Sequence, residues 1–223
     1  MTLEIIVTDA DEAAAAAHAG ATRLELVAER DRGGLTPAPE MIERVTRAVT
    51  IPVHVIVRPH DDGFRYDARS RAAMARDAQR AACLGASAIV VGGLDENGDV
   101  DVELLAQVHE AARLSLTFHR AFDDARDLLG AYDTLARTPG VTRVLTSGAA
   151  PSAWDGRATL RALRERRGPG ILAGGGITTD NVADLVRETG ICEVHVGSGA
   201  RTDGRLNPRA IEHLARTLKA IEE

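Results

Sequence analysis

Eight times along the chain, a short run of apolar, largely branched residues is followed by a longer polar or alanine-rich stretch. The runs fall at residues 3–8, 22–27, 52–58, 88–92, 115–120, 142–146, 170–174 and 192–197. Their starts lie about 27 residues apart, the length of one strand–helix unit. Consecutive parallel strands need a crossover, usually a helix, so this alternation predicts a parallel sheet. Helix boundaries fill the gaps. Asp9 or Asp11 can cap an alanine-rich helix that Gly20 ends, Pro37 and Pro39 open the next, and Thr179-Asp180 head another that Gly190 closes. Eight units with no compositional break predict an α/β protein, a single-domain (β/α)8 TIM barrel over residues 1–223. An open doubly wound sheet, with six or so strands, leaves two units unexplained.

A chain of this mass exposes roughly 10,000 Å² when folded against about 34,000 Å² unfolded, so it can build a large core unaided. Only 3% of the residues are aromatic, which makes that core aliphatic and the few rings informative by position. The net charge of −6 argues against a general nucleic-acid binder, which carries a basic stripe. The two cysteines, Cys83 and Cys192, can form neither a disulfide framework nor a four-cysteine zinc site. The start has no signal-peptide pattern and no run approaches membrane-spanning length, so the expectation is a cytoplasmic protein without a membrane partner.

In a barrel one side of each strand meets the helices and the other looks inward. Leu24 and Leu26 flank Glu25. Val53, Val55 and Val57 alternate with His54, Ile56 and Arg58, and Val194 and Val196 with Glu193 and His195. Leu3, Ile5 and Val7 alternate with Glu4, Ile6 and Thr8, and Leu116 and Phe118 with Thr117 and His119. If the apolar sets pack on helices, the interior receives Glu4, Glu25, His54, Arg58, His119, Thr146 and His195. Barrels otherwise fill this space with branched aliphatic residues, because ionisable groups there lose hydration. Glu25, His119 and His195 are therefore candidate acid–base residues, a carboxylate beside histidines being able to divide proton removal and delivery. Glu4, His54, Arg58, Arg120, Thr146 and Ser147 are candidate substrate-binding residues, and an arginine can hold a carboxylate or phosphate bidentately. Glu4 and His54, early in their strands, equally suit a structural network on the barrel floor.

Glycines cluster after the seventh and eighth strands, where many barrels bind phosphate through backbone N–H groups. Gly175, Gly176, Gly197 and Ser198 are the candidate anion-binding residues. Five of the six aromatic residues, Phe64, Tyr66, Phe118, Phe122 and Trp154, fall at or near the loops of this same end. The long loop holding Phe64 and Tyr66 would suit a lid. Lys219, the only lysine, lies outside every strand run, which excludes Schiff-base chemistry. Histidines and glutamates supply metal-ligand types, yet there is no His-x-His pair and no inward cysteine, and Arg58 and Arg120 repel a cation. No metal ligands are assigned.

Several stretches resemble the CutC copper homeostasis family. They are Arg23-Leu24-Glu25-Leu26, Gly33-Gly34-Leu35-Thr36-Pro37, residues 51–59, Thr117-Phe118-His119-Arg120-Ala121-Phe122-Asp123, Val144-Leu145-Thr146-Ser147-Gly148, Ala173-Gly174-Gly175-Gly176 and Glu193-Val194-His195. The likeness runs in order over nearly the whole chain. It implies a (β/α)8 barrel, a cytoplasmic homodimer or larger homo-oligomer, and a role in copper handling, with copper as the only cofactor and only by resemblance. Members of the family frequently carry one cysteine in the first strand and another closing the second. Here Ile6 and Val27 stand at those positions. Thiolates are the soft ligands that suit Cu(I), so the resemblance does not carry direct thiolate copper binding onto this chain.

Three functions compete on these residues. The first is copper handling, as the family resemblance implies. The second is a metal-independent barrel enzyme acting by acid–base chemistry on a small anionic or phosphorylated metabolite. The third is a non-catalytic scaffold, which a closed, apolar barrel top would favour.

Overall fold

The computed structural model describes residues 1–222. Eight parallel strands close into a barrel in sequence order: β1 (Thr2–Val7), β2 (Arg23–Leu26), β3 (Val53–Ile56), β4 (Ala88–Val91), β5 (Leu116–Phe118), β6 (Val141–Thr146), β7 (Gly170–Gly174) and β8 (Glu193–Val196). Each predicted run overlaps its strand with ends that agree to within two residues, and β8 pairs back onto β1 with Glu4 beside His195. The helices between them are α1 (Ala10–His18), α2 (Pro39–Ala48), α3 (Ala68–Cys83), α4 (Val102–Ala112), α5 (Leu128–Arg137), α6 (Arg157–Glu165) and α7 (Val182–Thr189), and α8 (Pro208–Glu222) follows β8. A short antiparallel hairpin, β9 (Arg201–Thr202) and β10 (Arg205–Leu206), interrupts the last connection and is absent from the sequence reading.

The local signals act as expected. Asp9 caps α1 by accepting from the Glu12 N–H at 2.8 Å, and Pro39 occupies the first turn of α2. Gly190, at φ +66°, closes α7 in the left-handed conformation that glycine adopts at least cost. That helix starts at Val182, one residue later than an Asp180 cap would place it, and Asn181 is its cap residue.

Two apolar layers result. The larger packs outward-facing strand residues, such as Ile5, Leu24, Val55 and Ile89, against the helices. A small inner cluster of Val27, Ile56 and Val90, with Ile6 against it, sits inside the barrel. Arg201 ties the hairpin down, donating to both Glu12 carboxylate oxygens at 2.5 and 2.8 Å and to the Ile6 carbonyl at 3.1 Å.

Candidate functional site

Strand alternation places a charged network on the barrel floor. Glu4, almost fully buried, accepts from Arg23 Nε at 2.5 Å through one oxygen, and its other oxygen lies 2.7 Å from His195 Nδ1. Arg23 also reaches Glu193 at 2.7 Å, and Arg143 meets the same Glu193 oxygen at 2.9 Å. Burial works against a charged Glu4, but the His195 hydrogen bond and the charges of Arg23 and His195 outweigh it and hold Glu4 well below the usual carboxylate range. His54 lies 3.5 Å from Glu4 without a hydrogen bond, and burial brings it down to about 4, so it is neutral at pH 7.

Above this floor opens a cavity of about 220 Å³ at the C-terminal end of the strands. Glu25 enters it from β2. Its carboxyl makes no hydrogen bond within the described chain, and His195 Nε2 lies 3.8 Å away. Burial pushes Glu25 up to about 7, against the pull of His195. His195 is buried too, but Glu25 facing it and the Glu4 hydrogen bond outweigh that and raise it above its ordinary value. Glu4, His195 and Glu25 thus form a line in which an anchored carboxylate orients an imidazole toward a carboxyl that can gain or lose a proton near neutrality.

His119 closes the opposite wall, just beyond β5. Its Nδ1 accepts from the Ala121 N–H at 3.1 Å, which places the proton of the neutral ring on Nε2. That Nε2 is buried without a partner. Burial, then the charge of Arg58, brings His119 down to about 3. The ring fits only because residue 92 is glycine: a Cβ there would stand 2.5 Å from Nδ1.

Arg30, Arg58 and Arg120 line the cavity with Glu25; Arg30 is paired with Asp31 at 2.6 Å and Arg120 with Asp123 at 2.8 Å. Arg58 is 8% exposed and forms no ion pair within the described chain. Its Nη1 reaches the carbonyls of Arg32 and Gly33 at 3.4 and 3.3 Å, its Nε is unsatisfied, and its head lies 4.9 Å from the centre of the Phe64 ring. The other buried arginine heads, of Arg23 and Arg201, each meet a carboxylate. A buried cation without a counter-charge is costly, and an anionic ligand in the cavity relieves that cost.

The glycine loops complete the mouth. Gly175 and Gly176, at φ +103° and +68°, hold their N–H groups away from any backbone partner, and Gly197 and Ser198 lie beside them. A nest of free N–H groups is an anion receptor.

The structure brings Glu25, His119, His195, Arg58, Arg120, Gly175, Gly176, Gly197 and Ser198 to one cavity. It places Glu4 and His54 beneath it and Thr146 and Ser147 beside it. The inward residue of β6 is Leu145, and the expectation of Thr146 in the interior is corrected accordingly. Thr146 Oγ1 instead donates to Asp123, which also accepts from the Ser147 and Ala149 N–H groups at 3.1 and 3.0 Å and from Arg120 Nε at 2.8 Å. Thr146 therefore orients Arg120 through Asp123, and Ser147 does so both through Asp123 and directly, its Oγ accepting from Arg120 Nη2 at 2.9 Å. Sequence reasoning missed Asp123, Arg30 and Gly92. Phe64, from the long loop, does reach the cavity, its ring centre 5.1 Å from that of His119.

Ile6 and Val27 both line this cavity, so the aliphatic wall stands where the resemblance would put thiolates. Cys83 and Cys192 are exposed on the outside. No group of three or more His, Cys, Asp or Glu among the described residues could hold a metal ion. This donor set does not fit Cu(I).

Comparison with known proteins agrees with the architecture. A CutC family protein of Enterobacter sp. strain 638 is 40% identical over 209 residues, covering 93% of this chain and 84% of its own. The crystal structure of a CutC protein from Streptococcus agalactiae, assigned to copper homeostasis, superposes with a TM-score of 0.83 at 29% identity, covering 89% of this chain and 98% of that one. Phosphoribosyl anthranilate isomerase from Thermus thermophilus, at 18% identity and a TM-score of 0.68 over 99% of this chain and 100% of that one, shares the fold alone. With the CutC family model matching residues 1–200, this chain belongs to the CutC family.

Proposed function

We propose that this chain serves in copper homeostasis, the role assigned to its S. agalactiae relative, through a barrel-top pocket for a small anion and not through thiolates that hold the metal. The buried Arg58, which forms no ion pair among the described residues, carries the anion reading. The aliphatic wall at Ile6 and Val27 supports the second half. Bicinchoninate competition for Cu(I) tests it. The protein is expected to leave the chelator's Cu(I) complex intact. Withdrawal of Cu(I) by a Cys83→Ser, Cys192→Ser variant would contradict the reading, because exposed thiols would then be excluded as the source. A cytoplasmic homodimer or larger assembly belongs to the same proposal, supported by the family likeness; among the described residues no helix is long and apolar enough to cross a membrane.

One observation favours a second reading, a metal-independent enzyme on a small anionic metabolite. Glu25 faces His195, which Glu4 holds from behind, and a base poised near neutrality inside a cavity is arranged for proton transfer. In this reading Glu25 is the base, while Arg58, Arg120 and the glycine loops grip the anion.

A further inference from the structure

We infer that the cavity removes a proton next to a carbonyl group. Glu25 takes the proton, His119 Nε2–H holds the oxygen that becomes the enolate, and Arg58 grips a phosphate or carboxylate elsewhere on a small substrate. This inference rests on the anion-pocket reading and adds to it a reaction and a substrate class.

The chemistry present at the walls selects it. Among the described residues only one carboxylate lines the cavity, so glycoside hydrolysis by a pair of carboxylates has no second partner there. No cysteine or lysine lines it, and its one hydroxyl side chain, Ser198, hydrogen-bonds no histidine, so no activated nucleophile is in place. What remains is a base, an N–H donor and an anion grip. The donor is the telling element. His119 Nε2–H is buried and unpartnered, and its tautomer is fixed by the Ala121 N–H on the far side of the ring. A neutral imidazole N–H suits a carbonyl oxygen that gains charge, and the pairing of a carboxylate base with such a neutral histidine is a known solution for enolisation. Burial and the Arg58 charge keep the ring neutral at working pH. Ile6, Val27 and Ile56 offer an apolar face for the carbon skeleton.

The step balances without a co-reactant. The Glu25 carboxylate takes the C–H proton, the C–H electron pair becomes the carbon–carbon double bond, and the carbonyl π pair moves onto oxygen. Return of a proton from Glu25 to the same carbon restores the substrate with that hydrogen exchanged for one from solvent. Return to the neighbouring carbon, with the hydroxyl proton passing to the enolate oxygen, gives an isomer.

Exchange in D₂O tests this with hydroxyacetone phosphate, glycolaldehyde phosphate and pyruvate as probes, read by ¹H NMR as loss of the signal next to the carbonyl. At least one probe is expected to exchange faster than in buffer. Glu25→Gln should slow that exchange by about 100-fold or more, and Glu25→Asp should retain part of it. Inorganic phosphate is titrated into the same samples, with Arg58→Met as control. Phosphate binding through Arg58 with no exchange of any probe overturns this inference and leaves the anion pocket standing. No phosphate binding overturns both. Exchange unchanged in folded Glu25→Gln overturns the assignment of the base.

Discussion

Burial disfavours the charged form of both Glu25 and His119, moving the carboxyl up and the imidazole down, and stability should record it. Glu25 sits near 7 in the folded chain against 4.5 as a free side chain. Between those values the folded protein keeps a proton that the unfolded chain has lost, so this residue lowers stability as pH rises through that window. Glu25→Gln removes the effect. Urea denaturation is expected to show the variant gaining on the parent between pH 5 and pH 8, by at most about 3 kcal/mol. His119 titrates in the other direction, near 3 when folded against an ordinary 6.5. Below pH 6.5 the unfolded chain binds the proton first, so stability falls with pH until about 3. His119→Gln should flatten that acid limb relative to the parent. The parity of the strands made Glu4, Glu25, His54, Arg58, His119 and His195 legible, because a charge opposite a valine or leucine row has one place to go. Arg30 was not legible: it lies in a three-residue 3-10 turn after β2, where no period marks a direction.

At the scale of elements, the cavity depends on loops braced from outside it. Asp123, on the turn after β5, gathers the end of β6 and the side chain of Arg120. Asp123→Ala leaves those donors without an acceptor and is expected to cost on the order of 3 kcal/mol, read as a lowered urea midpoint, and to weaken anion binding through Arg120. Gly92 braces from below. Gly92→Ala puts a methyl against the His119 ring, and the expected outcome is a displaced imidazole, seen in its NMR signals, with a smaller loss of stability. The strands and most helix ends were readable because caps and apolar runs are local. Thr146 was misplaced because Val144 and Leu145 before it are both apolar, so the end of β6 shows no polar–apolar alternation from which to read its inward side.

For the whole molecule, the barrel separates a paired, structural floor from a mouth with unpaired charge. Arg23 lies between Glu4 and Glu193, and Arg23→Met should destabilise the fold by about 3–5 kcal/mol in denaturation experiments, since it strips a buried Glu4 of its cation. Arg58 has no such partner, so Arg58→Met should leave stability unchanged or improved. That contrast marks the mouth as built to receive an anion. The most direct measurement of this is a phosphate titration followed by ¹H–¹⁵N NMR. Saturable shifts are expected at the amides of Gly175, Gly176 and Gly197, abolished in Arg58→Met. Amides there that stay unmoved by phosphate, or that move equally in Arg58→Met, would contradict it.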